Sequence, residues 1–203
     1  MKNCKVKNCD HKYYAKGYCE KHYQQISRTG SIRKKSQSGF NDIIIEGPIC
    51  KIDLYDKLGN KSGTAIIDVT DYNKVKDHRW GISQGYVVTG RRKAKMRLHH
   101  LIIGYPPAGK EVDHKNRTKL DNRRCNLRFA TTAQNRCNTH GRGVGTSQFK
   151  GVSWAAQRNK WISAIGNKGK RYWIGYFSSE RDAARAYDIM AKKLHGEFAC
   201  LNF

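Results

Sequence analysis

The residues best suited to chemistry lie near the middle of the chain, in the run Val112-Asp113-His114 at the end of a short extended segment. The Asp113 carboxylate is a hard oxygen ligand of the kind that divalent cations prefer. The neighbouring His114 imidazole can take up a proton near neutral pH. The pair therefore predicts a metal-assisted reaction with a general base.

The elements around this pair must bring further polar groups to it. A polar loop follows, which carries Asn126, and a helix is expected to begin near Thr131 or Thr132 and to present Asn135. Strand, loop and helix in this order are typical of a nuclease that uses one metal ion. Each of these side chains alone would more often be an ordinary turn or loop residue, so the set as a whole carries the prediction.

Residues 98–138 resemble the HNH endonucleases of the phage and intron-encoded homing type. The family pattern is an Asp-His pair, an Asn 12 residues after the His and a third polar residue 9 further on, and Asp113-His114, Asn126 and Asn135 match it. The pair His99-His100 also resembles the family's upstream segment. The likeness extends over residues 40–138, although many members have His at the third position.

This resemblance implies hydrolysis of a DNA phosphodiester with His114 as the general base. Asp113 and Asn135 would hold one Mg²⁺ or Mn²⁺ ion, and Asn126 would brace the loop and orient His114. Two arginines would add charge near the phosphate or contact the DNA backbone: Arg124 and Arg128.

A second cluster of metal-ligand types lies at the start of the chain. Three thiols and one imidazole fall within 19 residues: Cys4, Cys9, Cys19 and His22. Such a set suits tetrahedral Zn²⁺, and a segment this short would need the metal in order to fold. His11 is a substitute ligand, and a basic tail with incidental cysteines is the alternative.

The remaining cysteines are interpreted as structural. The total of 7 is odd, which argues against a closed disulfide framework and favours a reducing compartment. Cys50 and Cys200 are expected to be small buried side chains. Cys125 and Cys137 could support a second zinc ion but are too few to hold one, so we expect them to be structural.

The C-terminal part predicts three short strands, 149–154, 160–165 and 171–177, followed by a helix. Ser179 is the expected N-cap of that helix and Gly196 is its expected end. Alternation along the middle strand places Trp161, Ser163 and Ile165 on one face.

Residues 149–203 resemble the plant ethylene-response-factor (APETALA-type) DNA-binding domain, through 173–177 (WIGYF), 183–188 (AARAYD) and 201–203 (LNF). That family lays its sheet into the major groove, so the resemblance implies a core on the Trp161 face and DNA contacts from the sheet. The implied DNA-contacting residues are Lys150, Arg158, Lys160, Arg171 and Trp173. Ser153 and Gly166 replace arginines of the plant domains, which implies a different target sequence.

Charge and composition limit the classes of function that this chain can have. The 203 residues carry a formal charge of +24, and every segment of the chain is basic, which favours a polyanionic partner. The 4 Trp, 11 Tyr and 6 Phe residues and only 3 Pro argue against disorder. The length excludes a barrel enzyme of ordinary size. No apolar run is long enough for a membrane span, and no signal peptide is evident.

The sequence therefore predicts a multi-domain α+β protein. The expected parts are a zinc module (1–26), a linker (27–41), a ββα-metal HNH nuclease domain with a β-rich scaffold (42–137), a second linker (138–148) and a three-stranded antiparallel sheet with one helix (149–203). Within the scaffold, a hairpin turn is expected at 58–61.

The predicted function is a metal-dependent homing or nicking endonuclease that acts on double-stranded DNA. The alternative is a DNA-binding regulator with a decayed nuclease site, although the four motif residues are all present. RNA binding is less favoured, because the C-terminal module resembles a reader of duplex DNA. We expect an intracellular, cytoplasmic monomer in a bacterial or phage-infected cell, with no membrane and no protein partner.

Overall fold

The computed structural model describes residues 4–6, 9, 11–29, 41–56, 58–90, 95–140 and 145–203. These residues divide into two compact units, 1–98 and 99–203. The division falls inside the predicted nuclease domain and places the Asp113-His114 motif in one unit with the C-terminal sheet. The predicted boundaries of the five parts otherwise stay predictions.

The first unit contains one longer helix and two small sheets. Its elements in chain order are α1 (Glu20–Thr29), β1 (Ile43–Glu46), β2 (Ile49–Tyr55), β3 (Lys61–Asp68), a 3-10 turn (Val69–Asp71), α2 (Tyr72–Val75), β4 (Gly81–Ser83), β5 (Tyr86–Thr89) and β6 (Met96–Arg97). The sheets are antiparallel, in the orders β1-β2-β3 and β4-β5-β6. The helix α1 extends into the predicted first linker, and most of that linker lies outside the described residues.

The core of the first unit follows from the alternation of β2. Cys50, Ile52 and Leu54 are fully buried, whereas the residues between them are only partly buried. The predicted hairpin between β2 and β3 is confirmed. Asn41 joins the two sheets, because its carboxamide donates to the carbonyls of Asp53 and Trp80 and accepts from the Trp80 N–H.

The second unit begins with the nuclease motif. Its elements are α3 (Leu98–Ile103, whose first residue ends the first unit), β7 (Lys110–His114), a 3-10 turn (Arg124–Asn126), β8 (Leu127–Thr131) and α4 (Thr132–Cys137). β7 and β8 form an antiparallel ribbon. The predicted start of α4 is confirmed: the Thr131 hydroxyl accepts from the Gln134 N–H, and the Gln134 side chain accepts from the Thr131 N–H.

The rest of the second unit is a three-stranded antiparallel sheet, in the order β11-β10-β9, covered by one helix. Its elements are β9 (Val152–Ala155), a 3-10 turn (Ala156–Arg158), β10 (Lys160–Asn167), β11 (Lys170–Phe177), α5 (Glu180–His195) and a second 3-10 turn (Gly196–Phe198). The predicted caps of α5 are confirmed at Ser179 and Gly196. This arrangement is the α+β fold expected from the sequence.

Small side chains let α5 lie close to the sheet. Ala183, Ala184 and Ala191 are completely buried against it, next to Tyr187 and Ile165. A further close approach requires glycine at position 151, because its φ is +77° and a Cβ there would overlap the Tyr187 ring. The expected core face of β10 is confirmed by the packing of Trp161 and Ile165.

The ends of the predicted second linker are packed. Asn138 is buried, the Trp154 N–H donates to the Thr146 hydroxyl at 2.7 Å, and the Ser147 hydroxyl donates to the Glu180 carboxylate at 2.6 Å. Residues 141–144 of this linker lie outside the described residues. Among the helices that the structure describes, none has the length and apolar character needed to cross a membrane.

Candidate active site, metal centre and nucleic-acid surface

Asp113 and His114 form the last two residues of β7 and are both 4 % exposed. The register of the ribbon places Asp113 opposite Arg128 and His114 opposite Leu127. Because successive side chains of a strand point to opposite faces, the two functional groups leave the ribbon in different directions. The loop after β7 and the helix after β8 supply their partners.

The Asp113 carboxylate is held from two sides. The Asn138 amide lies 2.9 Å from Oδ1 and 3.1 Å from Oδ2, and it also donates to the His114 carbonyl at 3.0 Å. Arg128 donates to Oδ2 through both Nε and Nη2, each at 2.8 Å. The carboxylate is therefore held in one orientation in a buried position, as a ligand for a cation must be.

His114 is held by a loop residue, Asn122. Its Nε2 lies 3.4 Å from the Asn122 Oδ1 atom, while the Asn122 amide donates to the Lys119 carbonyl at 3.2 Å. Burial lowers the pKa of His114 below its ordinary value of 6.5, against smaller opposing effects of Asn122, Asp113 and Asp121. The imidazole is therefore neutral at pH 7.

The tautomer follows from these contacts. Since the Asn122 amide nitrogen already donates to a carbonyl, its oxygen is the atom that faces the imidazole, and an oxygen can only accept. Nε2 of His114 must then carry the proton. The other ring nitrogen, Nδ1, is left with the lone pair that a general base needs.

Asn126 braces the loop, as expected, but the structure assigns the contact with His114 to another residue. Asn126 accepts from the Asn116 N–H at 2.9 Å and donates to the Asp121 carbonyl at 2.7 Å. It thereby closes the loop from both ends. Asn122, which lies inside that loop, contacts the imidazole instead.

Asn135 lies on α4, which packs against β7 and β8, and its side chain is partly buried. Together with Asp113 it offers the oxygen donors that Mg²⁺ and Mn²⁺ prefer. Among the described residues, Asp113 Oδ1 accepts only from Asn138, so one of its lone pairs is left for a cation. By chemical type, these oxygen donors suit a hard divalent ion.

The two upstream histidines differ in exposure. His99 is 2 % exposed, and its ring lies 5.3 Å from that of His114 and 4.5 Å from that of His100. His100 in turn packs on Tyr105, at 4.7 Å between ring centroids. His99 is thus the one of the pair that approaches the motif.

The N-terminal ligand set comes together in the structure. The four ligand atoms of Cys4, Cys9, Cys19 and His22 lie within 4.8 Å of one another. His22 approaches with Nδ1, at 3.2 Å from the Cys4 sulfur and 3.3 Å from the Cys19 sulfur. Cys19 immediately precedes α1 and His22 lies in its first turn, as the spacing predicted.

The chemistry of this set fits a metal ion. Burial opposes ionisation of Cys4, but hydrogen bonds from the N–H groups of Cys19 and Val6 and from His22 lower the pKa of its thiol to about 6. A thiolate is the form that binds metal. Three sulfurs and one imidazole nitrogen can therefore hold a tetrahedral ion such as zinc.

The outer surface of the C-terminal sheet is aromatic and basic. Trp173 is 53 % exposed, which excludes a core position, and its ring lies 4.6 Å from that of Tyr176. The Arg158 guanidinium stacks over the Tyr176 ring at 4.9 Å. Lys160 and Arg171 are exposed. This surface can stack on and neutralise a nucleic acid.

Two of the predicted DNA contacts are used inside the molecule instead. The Lys150 ammonium donates to the carbonyls of Cys137 and Thr139, at 2.7 and 2.6 Å, and burial lowers its pKa. Arg128 is engaged by Asp113, as described, and by the Glu197 carbonyl at 2.6 Å. Arg124 is exposed at the start of its 3-10 turn.

Sequence reasoning missed Asn138, whose contacts with Asp113 are described above. The family spacing ends at Asn135, which lies on α4. Asn138 follows Asn135 by three residues, and side chains three residues apart on a helix share one face. That spacing is the signal that could have indicated Asn138.

Comparison with known proteins agrees with this geometry. Residues 97–137 match the HNH endonuclease family model and residues 147–197 match the AP2 domain model. The chain is 30 % identical to the uncharacterized HNH endonuclease L560 of Acanthamoeba polyphaga mimivirus over 181 residues, which cover 86 % of this chain and 92 % of the viral protein. The chain therefore belongs to the HNH endonuclease family.

The C-terminal part has plant relatives. It is 36 % identical over 72 residues to the AP2/ERF and B3 domain-containing transcription repressor TEM1, and 46 % identical over 59 residues to dehydration-responsive element-binding protein 2A, both of Arabidopsis thaliana. The matches cover 35 % and 27 % of this chain but only 19 % and 17 % of the plant proteins. This chain is thus an HNH endonuclease family member that carries an AP2 domain.

Proposed function

We propose that this protein is a divalent-metal-dependent endonuclease that hydrolyses phosphodiester bonds in double-stranded DNA. The observation that carries the proposal is the buried His114 imidazole, whose pKa is lowered by burial and whose Nε2 contacts Asn122, together with the fixed carboxylate of the preceding residue, Asp113. A neutral imidazole and a hard anionic ligand supplied by adjacent residues are the two groups that metal-assisted hydrolysis requires.

His114 is the general base of this proposal. Its Nδ1 takes a proton from a water molecule, whose oxygen forms a bond to phosphorus in line with the bond to the leaving 3′ oxygen. That second bond then breaks, and the leaving oxygen takes a proton from solvent. Because burial keeps the imidazole unprotonated at pH 7, the base is ready without a prior deprotonation.

Asp113 and Asn135 would hold one Mg²⁺ or Mn²⁺ ion, which when bound supplies positive charge to the phosphate and to the leaving oxygen. The protein's own part is to keep those two ligands in place. Asn138 and Arg128 fix the Asp113 carboxylate, and the capped helix α4 carries Asn135. At the N terminus, Zn²⁺ would hold the Cys4, Cys9, Cys19 and His22 segment together.

The C-terminal sheet would hold the target. Its exposed Trp173, Arg158, Lys160 and Arg171 combine stacking surface with positive charge, which suits a DNA duplex. We propose that the target is a specific site in duplex DNA, which an endonuclease of the homing type cuts or nicks. We further propose that the protein acts as a monomer without a protein partner. A DNA substrate also implies action inside the cell.

The test is cleavage of supercoiled plasmid and of DNA that flanks the gene, with Mg²⁺ or Mn²⁺. Wild-type protein is expected to convert the DNA to nicked or linear forms. His114→Ala should abolish cleavage and leave gel-shift affinity nearly unchanged, since the proposed role of His114 is proton transfer and the DNA contacts are assigned to other residues. Failure of the wild type to cut any of these DNAs would contradict the proposal and favour a non-catalytic DNA-binding regulator.

A further inference from the structure

The Asp113 carboxylate is connected to the C-terminal end of the AP2 part through one side chain, Arg128. Arg128 stands directly opposite Asp113 on the ribbon and uses Nε and Nη2 for the carboxylate. Its remaining nitrogen, Nη1, donates to the Glu197 carbonyl at 2.6 Å. The Phe198 ring lies 3.9 Å from the guanidinium carbon. The side chain of Arg128 is only 10 % exposed.

These contacts divide the guanidinium between Asp113 and Glu197, and Glu197 lies 69 residues after Arg128 in the chain. A planar guanidinium can serve two partners at once because its donors form a fixed fork, which an ammonium does not have. The ring of Phe198 covers one face and limits rotation of the fork. The contacts with Glu197 and Phe198 therefore help to fix the orientation in which Arg128 meets Asp113.

A second contact ties the same segment to the loop after His114. Arg117 donates from Nη1 to the Cys200 sulfur at 3.3 Å, and its N–H donates to the His114 carbonyl at 2.8 Å. Cys200 is buried, and its sulfur lies 3.6 Å from Nδ1 of His140. Residues 197–200 are thus linked to the Asp113-His114 pair indirectly, through Arg128 and through Arg117.

We propose that residues 197–200 form part of the nuclease site, with Arg128 and Phe198 as positioning residues that set the orientation of the Asp113 carboxylate. This inference rests on the proposed function. Catalytic ligands need positions held to a fraction of an ångström, and a long side chain such as Arg128 supplies that only when its own rotamer is locked. On this view the AP2 part completes the catalytic centre in addition to holding DNA.

The test is the variant Phe198→Ala, with Phe203→Ala as its matched control. Phe203 lies in the same C-terminal segment, is 58 % exposed and stacks on Phe149, away from Arg128. Phe198→Ala is expected to lower kcat about tenfold at saturating DNA, while the Kd for DNA stays within about twofold. The Mn²⁺ concentration for half-maximal rate should rise, because a looser carboxylate binds the ion less well. Phe203→Ala should leave all three quantities unchanged.

Arg128→Lys gives an independent check, since it keeps the charge but loses the fork. It is expected to reproduce the loss in kcat, and Phe198→Leu, which keeps apolar cover, should recover part of it. An effect of Phe198→Ala on thermal stability alone, with kcat and the Mn²⁺ dependence unchanged, would overturn the inference.

Metal binding is measured separately from turnover. In a His114→Ala background with bound duplex DNA, Mn²⁺ titration followed by electron paramagnetic resonance should show weaker binding when Phe198→Ala is added. Equal Mn²⁺ affinity together with normal cleavage would overturn the positioning role and leave the proposed function intact. Absence of both cleavage and Mn²⁺ binding in the wild-type motif would instead overturn the proposed function, and with it this inference.

Discussion

A single carboxamide, that of Asn138, donates toward both oxygens of the Asp113 carboxylate, at 2.9 and 3.1 Å, and also reaches the backbone carbonyl of His114. The residue comes directly after α4, so the end of that helix is joined to the end of β7 at the two motif residues. Asn138 is 4 % exposed, and water is therefore not available to replace its contacts.

Removal of this contact should cost stability. Asn138→Ala leaves the Asp113 carboxylate and the His114 carbonyl with fewer partners in a buried place, and we expect a loss of about 1–3 kcal/mol in the free energy of unfolding. Urea unfolding followed by circular dichroism measures it. Asn73→Ala, at an exposed helical position, is the control and should change little. Equal stability of the two variants would contradict a structural role for Asn138.

The pH dependence of cleavage should reflect His114. Because burial lowers its pKa below 6.5, the base is already unprotonated at neutral pH, and kcat should rise with pH only below about 6.5 and then stay level. Asn122→Asp places a carboxylate beside Nε2, which stabilises the imidazolium and should move the rise to higher pH by about one unit. Asn73→Asp is the control. An unchanged profile in Asn122→Asp would refute the contact as the one that orients the base.

The same burial makes the fold sensitive to acid. The unfolded chain takes up a proton on His114 near the ordinary pKa of 6.5, whereas the folded chain does so only at lower pH. Protons therefore favour the unfolded state, and the contribution of His114 to stability falls as the pH drops through 6.5. The stability of His114→Gln, measured by urea unfolding at pH 7.5 and 5.5, should depend less on pH than that of the wild type. Parallel losses in both proteins would assign the acid sensitivity to other groups.

Zinc at the N terminus is tested by elemental analysis. The wild type should contain about one zinc ion per chain, and Cys19→Ser should lose it, because three remaining ligands bind far more weakly than four. Cys125→Ser, at an exposed cysteine of the nuclease motif, should keep the metal. Full zinc content in Cys19→Ser would rule out this ligand set.

Because Lys150 donates to backbone carbonyls inside the protein, we expect its removal and the removal of the exposed Arg171 to affect the salt dependence of DNA binding differently. Arg171→Gln removes an exposed cation, and the slope of log Kd against log salt concentration should fall by about 1. Lys150→Met should leave that slope unchanged and lower stability, because the carbonyls of Cys137 and Thr139 lose their donor. Gel shifts between low and moderate NaCl measure the slope. A reduced slope in Lys150→Met would return Lys150 to the DNA surface.

The sequence predicted the elements whose signals are local. The helix α4 begins at Thr132 and Ser179 caps α5, both as expected. Gly196 ends α5, and Cys19 and His22 come together because their spacing fits a helical turn. In each case the residues that decide the structure are neighbours in the chain, so pattern and propensity suffice.

What the sequence did not predict depends on partners that are far apart in the chain. Arg128 and Lys150 have the appearance of DNA-binding residues, and only the packing of two modules shows that Glu197 and Cys137 use them instead. Asn122 and Asn126 lie four residues apart in one loop, and the conformation of that loop decides which of them faces His114. A basic side chain is equally suited to a phosphate and to a carbonyl.

The packing of residues 197–200 and Lys150 against the nuclease motif has a consequence for where DNA is cut. A DNA-binding domain joined to the nuclease by a flexible linker would allow cleavage over a range of distances from the bound sequence. Here the sheet that would bind the duplex and the His114 that would activate the attacking water belong to one compact unit. If the proposed function holds, the number of base pairs between the recognition site and the break would be set by this interface, and the length of chain that joins the two parts would not affect it.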